Sequence, residues 1–269
     1  MSHDELLASS TPTEQRWLLP PALRGARAAF IFFTRIPVGG FPYRKSDFVW
    51  ASAYAPFVGL VVGGALGMLF KLLLPLGALA AAALTLGVSM LFTGAFHEDG
   101  LADTSDALGG AYDPAKVLLI LKDSRIGSFG GAALVISILS RAALLAKLGE
   151  AGVWALPLAN CAARVGPIWQ MVSLPYVTAA DTAKGRDLTR GGFVQATIAA
   201  LWLVVAAAAS WRFGLTPLPR LGVLVAILSL VTLLTAWRYV KRVGGITGDF
   251  LGATEQLGEI AALCVLAWP

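Results

Sequence analysis

A helix of about 20 apolar residues reaches the roughly 30 Å thickness of a bilayer's hydrocarbon. Runs of that length recur at 51–70, 77–96, 129–148, 152–174, 193–213, 218–238 and 250–268. Because backbone in hydrocarbon must satisfy its own hydrogen bonds, the runs predict an all-α, polytopic integral membrane bundle of about seven transmembrane helices. The composition agrees: 57% of residues are hydrophobic and 14% charged, where soluble domains carry about 25% charged residues.

Ahead of the first run, 21–40 holds an apolar stretch too short to cross, which reads as a helix lying in the interface with Arg24, Arg27 and Arg35 at phosphate level. Arg35, between "FFT" and "IP", is the functional candidate of the three. Residues 1–20 carry acids where a signal peptide needs a basic segment, so they read as a cytoplasmic, flexible tail. Residues 21–269 then form one membrane-embedded domain. Cys161 and Cys264 each sit in an apolar run and read as packing residues. Gly59, Gly63 and Gly67, at four-residue spacing, predict close approach by another helix, of this chain or of a second copy in a homo-oligomer.

The net charge of +5 does not indicate nucleic acid, because the basic residues are spread over short loops without aromatic interleaving. It reflects topology. Arg16, Arg24, Arg27, Arg35, Arg44, Lys45, Lys116, Lys122, Arg125, Lys184, Arg186, Arg190, Arg238, Lys241 and Arg242 fall on one side, against Lys71, Lys147, Arg212 and Arg220 on the other. Cytoplasmic loops carry the Lys and Arg excess, so the N-terminus is expected inside the cell. The polar stretches at 97–106, 121–131, 181–192 and 244–259 all then meet at the cytoplasmic face.

The first of these, "HEDGLADTSDALGG" (97–110), places Asp99, Asp103 and Asp106 at i, i+4 and i+7, on one helical face. Stacked carboxylates repel, and a hard divalent cation such as Mg²⁺, Mn²⁺ or Ca²⁺ relieves the repulsion. Glu98 points elsewhere and ranks below them. A second cluster, Asp249, Glu255 and Glu259, opens the last run, where its glutamates need either a second cation or the intramembrane arginines Arg141 and Arg164. Between the clusters, "KDSRIGS" offers Lys122, Ser124 and Arg125 as phosphate donors. His97 is a candidate general base.

Four stretches, "FFTRIPVGG", "GAFHEDGLADTSDALGG", "LKDSRIGSFGG" and "GGITGDFLGATEQLGE", occur in order over residues 32–259 and together resemble the cobalamin 5′-phosphate synthase (adenosylcobinamide-GDP ribazoletransferase) family. The resemblance implies a membrane enzyme that joins adenosylcobinamide-GDP to α-ribazole, or its 5′-phosphate, and releases GMP with the help of one or two Mg²⁺ ions. It implies the bacterial cytoplasmic (inner) membrane, with the active site facing the cytoplasm. On it, Asp99, Asp103, Asp106 and Asp249 would hold metal. His97 or Glu255 would be the base, and Arg35, Lys122, Ser124, Arg125 and Arg164 would bind substrate. The acidic stretch also looks like part of the CDP-alcohol phosphotransferase motif, but Asp103 stands where that motif has arginine. A divalent-cation transporter is the other alternative, although the outer loops carry only Glu150 as an acid.

Overall fold

A computed structural model describes residues 20–39, 45–177 and 191–269. Among them the chain forms α1 (Pro21–Phe33), α2 (Lys45–Ala51), α3 (Ala55–Leu73), α4 (Ala78–Thr93), α5 (Phe96–Gly110), α6 (Pro114–Ile120), α7 (Ser128–Leu148), α8 (Gly152–Ala163), α9 (Val165–Ser173), α10 (Phe193–Arg212), α11 (Leu218–Val243) and α12 (Gly248–Ala267). The tail at 1–19 and most of the 181–192 loop lie outside the described residues.

The all-α membrane architecture is as expected, but the span count is not. Five stretches are long and apolar enough to cross a membrane, or six when a bent pair is taken as one span. One of the five, Ser128–Ser173, holds two of the expected runs, 129–148 and 152–174, and the run expected at 77–96 belongs to the bent pair. Helix α4 has only 16 residues, about 24 Å, and the chain then turns by 92° into α5. Gly94 and Ala95 are both left-handed there, with φ of 69° and 55°. The run expected at 152–174 is likewise interrupted at Arg164, between α8 and α9. Pro167 has no N–H to donate back into the preceding turn, so an unbroken helix could not pass through it with all bonds made.

Helices α7 and α8 fold back on each other at Gly149–Ala151. Arg141 on α7 and Asn160 on α8 consequently reach the same side chain, Glu259 of α12, at 3.1 and 3.4 Å. Helix α12 is the centre of the bundle: 72% of its apolar window is buried, against 22–39% for the other candidate spans. Large apolar side chains such as Leu72, Leu79, Leu139, Val204 and Leu233 face outward, as lipid-facing positions do.

The glycine row on α3 works within the chain. Gly59, Gly63 and Gly67 lie against the backbone of Asn160, of Leu156 and Pro157, and of Val153, all on α8. A Cβ at any of them would strike that backbone, so the two helices touch only because these positions lack one. The crossing of α5 and α12 uses the same device, with Gly100 against Asp249 and Gly252.

Helix α1 is anchored by a buried pair, Arg24 Nε to Asp47 Oδ1 at 3.0 Å. Arg24 is therefore committed to α2, not to phosphate level. Beyond α9, Tyr176 forms an isolated parallel bridge with Ile246; Val177 N–H donates to the Ile246 carbonyl at 2.9 Å and Ile246 N–H to that of Pro175 at 2.8 Å. That bridge fixes the approach to α12.

Candidate active site

The α5–α12 crossing gathers the acids. Asp99, Asp249 and Asp106 all lie close enough to act electrostatically on Asp103, in that order of strength, and Asp99 acts likewise on Asp249. Asp249 is in the first turn of α12, whose N-cap Thr247 accepts the Phe250 N–H at 3.3 Å. Negative charge is favoured at a helix N-terminus, which suits Asp249 to this position. Among the described residues no three His, Cys, Asp or Glu side chains converge into a metal-binding group. The donors are nonetheless hard oxygens, and Mg²⁺ commonly takes one or two carboxylates while waters and substrate phosphates complete its shell.

Asp106 differs from its neighbours. Its two oxygens accept the backbone N–H groups of Gly127 at 2.7 Å and Gly130 at 2.8 Å. It thus caps the N-terminus of α7 across the chain, and a Cβ at either glycine would collide with its carboxylate. This tie brings the "KDSRIGS" loop beside the acidic helix. Within the loop Lys122 and Ser124 are exposed, while Arg125 pairs with Asp123 at 2.6 Å. The guanidinium holds the Asp123 carboxyl down to about 2.

The opposite face of α5 meets a buried charge network. Glu98, ranked low on sequence, is buried and pairs with Arg141 at 3.1 Å; the same guanidinium holds Glu259 at 3.1 Å. Arg164 lies 2.9 Å from Glu255 Oε1 as an ion contact that is not an aligned hydrogen bond, and donates to the Asn160 carbonyl at 2.7 Å. Gln256 donates to Glu255 at 3.1 Å and accepts from Ser137 at 3.2 Å. The arginines, one of the two compensations expected for the glutamates, are therefore in place. His97 Nδ1 is 3.6 Å from Glu255 Oε2, which sets the imidazole between this network and the acidic face.

Asn160, Gln256 and Ser137 were not anticipated. Their only sequence signal is polarity inside apolar runs, which many packing residues share. Arg242 was placed only as a topological charge. It is buried, donates to the carbonyls of Leu108 and Ala111 and lies 4.7 Å from the Tyr112 ring, so that a cation grips the C-terminus of the acidic helix. Arg35 is exposed at the α4–α5 corner, with its N–H donating to the Phe92 carbonyl at 2.7 Å and its guanidinium laid against Gly94.

Beside His97 a cavity of about 70 Å³ opens between α1, α5, α9 and α12. Phe32, Phe33, Phe96, Ile168, Met171 and Tyr176 wall it, and Arg164 and Glu255 close its polar end.

Carboxylates on a tight helix crossing, phosphate-type donors tied alongside and a buried histidine next to a cavity are the parts of a phosphoryl-transfer site. The comparisons with known proteins point the same way. The chain is 36% identical to the adenosylcobinamide-GDP ribazoletransferase of Leptothrix cholodnii, over 90% of this chain and 95% of that one. It is 39% identical to that of Polaromonas naphthalenivorans, with 88% and 94% covered, and 34% identical to that of Vibrio cholerae, with 88% and 91% covered. No solved structure matches it. Residues 25–267 match the family described as cobalamin-5-phosphate synthase, and the chain belongs to that family.

Proposed function

We propose that this chain is an adenosylcobinamide-GDP ribazoletransferase, which joins adenosylcobinamide-GDP to α-ribazole or α-ribazole 5′-phosphate and releases GMP in the last assembly of cobalamin. The observation that carries the reading is the site itself: Asp99, Asp103 and Asp249 share the α5–α12 crossing, and the phosphate-type loop is tied to it through Asp106. The names and lengths of the relatives support it. The Lys and Arg bias of the loops and the bacterial relatives support a place in the cytoplasmic membrane with this site facing the cytoplasm.

In this reading the ribazole 3′-hydroxyl attacks the corrinoid-side phosphorus, an O–P bond forms, and the pyrophosphate bond to GMP breaks. Asp99, Asp103 and Asp249 would hold Mg²⁺, one ion or two. When bound, Mg²⁺ supplies charge neutralisation at the phosphate oxygens. Asp106 keeps the loop in register, so that Lys122 and Ser124 donate to phosphate oxygens and Arg35 reaches them from the corner. Arg125 joins them when it leaves Asp123. The hydroxyl proton passes to the His97–Glu255 pair, whose orientation Arg164 and Gln256 fix. Positioning and electrostatics carry most of the acceleration in such transfers.

The test is GMP release by purified protein in lipid nanodiscs given adenosylcobinamide-GDP, α-ribazole and Mg²⁺. Ribazole-dependent GMP that EDTA abolishes and Mg²⁺ restores is the expected result. CMP release from a CDP-lipid with no GMP from the corrinoid, or metal flux into liposomes with no nucleotide product, would contradict it.

A further inference from the structure

Helices α7 and α11 form the sides of a groove of about 400 Å³ on the Lys- and Arg-rich side of the bundle. Its floor is α12, through Ala253 and Leu257, and α5, through Leu101, Thr104 and Leu108. By helical spacing those three lie on the face of α5 turned away from Asp99, Asp103 and Asp106. Ile136 and Leu234, 64% and 55% exposed, are its outer lips. Hydroxyls along the groove are bonded within the protein: Ser105 donates to the Leu101 carbonyl at 2.7 Å, Thr235 to that of Val231 at 2.8 Å and Ser137 to Gln256 at 3.2 Å. The groove thus offers mainly apolar surface to whatever lies in it.

Its one charged side chain is different. Among the described residues Arg238, partly buried on α11, is the only charged group lining the groove, and it makes no hydrogen bond or ion pair there. Its neighbours near the end of α11 are Trp237, 57% exposed, and Lys241, whose ammonium lies 5.0 Å from the Trp237 ring. Tryptophan and cations together at a helix end mark the headgroup level of a bilayer, so the guanidinium stands where lipid phosphates are. The other outward-facing grooves lack this arrangement. One bordered by α10 and α11, of about 890 Å³, has no charged residue in its lining. In another between α11 and α12, of about 700 Å³, Arg220 is turned to the Leu266 carbonyl at 3.5 Å.

We infer that this groove is a binding site for an anionic phospholipid, with one acyl chain lying between α7 and α11 and the phosphate held by Arg238. A methylene takes up about as much room as a water, roughly 30 Å³, so the groove accepts about a dozen carbons, most of one chain. Floor and two sides give that chain dispersion contacts in three directions, and the guanidinium gains charge-assisted hydrogen bonds to the phosphate. A zwitterionic lipid offers the same phosphate but brings its own cation beside Arg238 and Lys241, which repel it. The preference is therefore for a headgroup of net negative charge. A chain seated there backs the helix that carries Asp99, Asp103 and Asp106, and its occupancy is independent of the reaction proposed above.

The experiment is native mass spectrometry of the protein released from nanodiscs that hold phosphatidylglycerol and phosphatidylcholine in equal amounts, with the lipid retained by each variant counted. The wild type is expected to retain phosphatidylglycerol over phosphatidylcholine by about tenfold or more. Arg238→Gln should abolish that preference. Lys116→Gln removes an exposed cation assigned to the same side but outside the groove, and should change the preference by less than about twofold. Ile136→Trp fills the groove from its exposed lip, where the larger side chain does not strain the core, and should lower retention of both lipids. No preference in the wild type, equal effects of Arg238→Gln and Lys116→Gln, or retention unaltered by Ile136→Trp overturns the site. A lipid-free dimer that Ile136→Trp splits overturns it too, and gives the groove to a second copy of the chain.

Discussion

Replacing Arg141 by methionine removes the cation shared by Glu98 and Glu259 without opening a large void. Arg141 is 1% exposed and lies 3.1 Å from each carboxylate, so at an effective dielectric near 20 each contact is worth about 5 kcal/mol of Coulomb energy. Most of that offsets the desolvation of the guanidinium and the carboxylates. What removal costs is the stranding of two buried carboxylates, and breaking a buried pair costs about 3–5 kcal/mol. At 2–4 °C per kcal/mol for a chain of this size, the midpoint of thermal unfolding in nanodiscs should fall by about 6–20 °C. Adding Glu98→Gln to Arg141→Met removes one stranded charge and should recover a substantial part of the loss, whereas Glu98→Gln alone should destabilise. A fall of less than about 3 °C for Arg141→Met, or a double variant less stable than Arg141→Met, would refute the claim that this triad is what holds α5, α7 and α12 together.

Further expectations test neighbouring parts of the account. Gly63→Ala puts a methyl into the backbone of Leu156 and Pro157 and should cost about 1–3 kcal/mol. Gly64→Ala, with nothing within 4 Å, should leave the melting point unchanged or slightly raised; equal effects would contradict the glycine argument. Asp106→Ala removes the acceptor of two backbone N–H groups at the start of α7 and should cost about 1–2 kcal/mol in thermal unfolding, with Asp106→Asn milder. The Asp123 carboxyl is held down to about 2 by Arg125. A depressed acid contributes above its unfolded pKa, near 4, and its contribution is lost as pH falls through about 2, so assays at pH 5–9 meet Arg125 paired. Asp123→Asn frees the guanidinium and should lower KM for adenosylcobinamide-GDP over that range; a raised KM would contradict a phosphate role for Arg125.

The membrane architecture was legible because hydropathy and the Lys and Arg bias report directly on the bilayer. The breaks were less so. Pro157 and Pro167 both lie in the run at 152–174 and α8 continues through the first, so proline did not mark the break at Arg164, and Ala95 in the left-handed region has no sequence signature and is disfavoured by its own Cβ. The packing of α5 along α7 and α12 and the contacts of Arg35 with Phe92 and Gly94 hold that corner, and none of these shows in the run of apolar letters through 77–96, which read as one span. Among the acids, the shared face of Asp99 and Asp103 followed from helical spacing. The distinct position of Asp106 did not, because its partners are backbone N–H groups of Gly127 and Gly130, which a sequence does not display. The pairing of Glu98 was not legible for a related reason: its partner Arg141 lies 43 residues away in the chain.

The central claim is that the acidic face at the α5–α12 crossing performs the transfer. Its most direct test is ribazole-dependent GMP release by Asp103→Asn in nanodiscs with saturating Mg²⁺, with thermal unfolding measured on the same preparation. Asp103 is partly buried on this face and, among the described residues, makes no side-chain hydrogen bond or ion pair whose loss would unfold the bundle. The account predicts turnover reduced by about a thousandfold or more, with a melting point equal to or above that of the wild type because a repelled charge has been removed. Turnover within a few-fold of the wild type would place the chemistry elsewhere in the molecule.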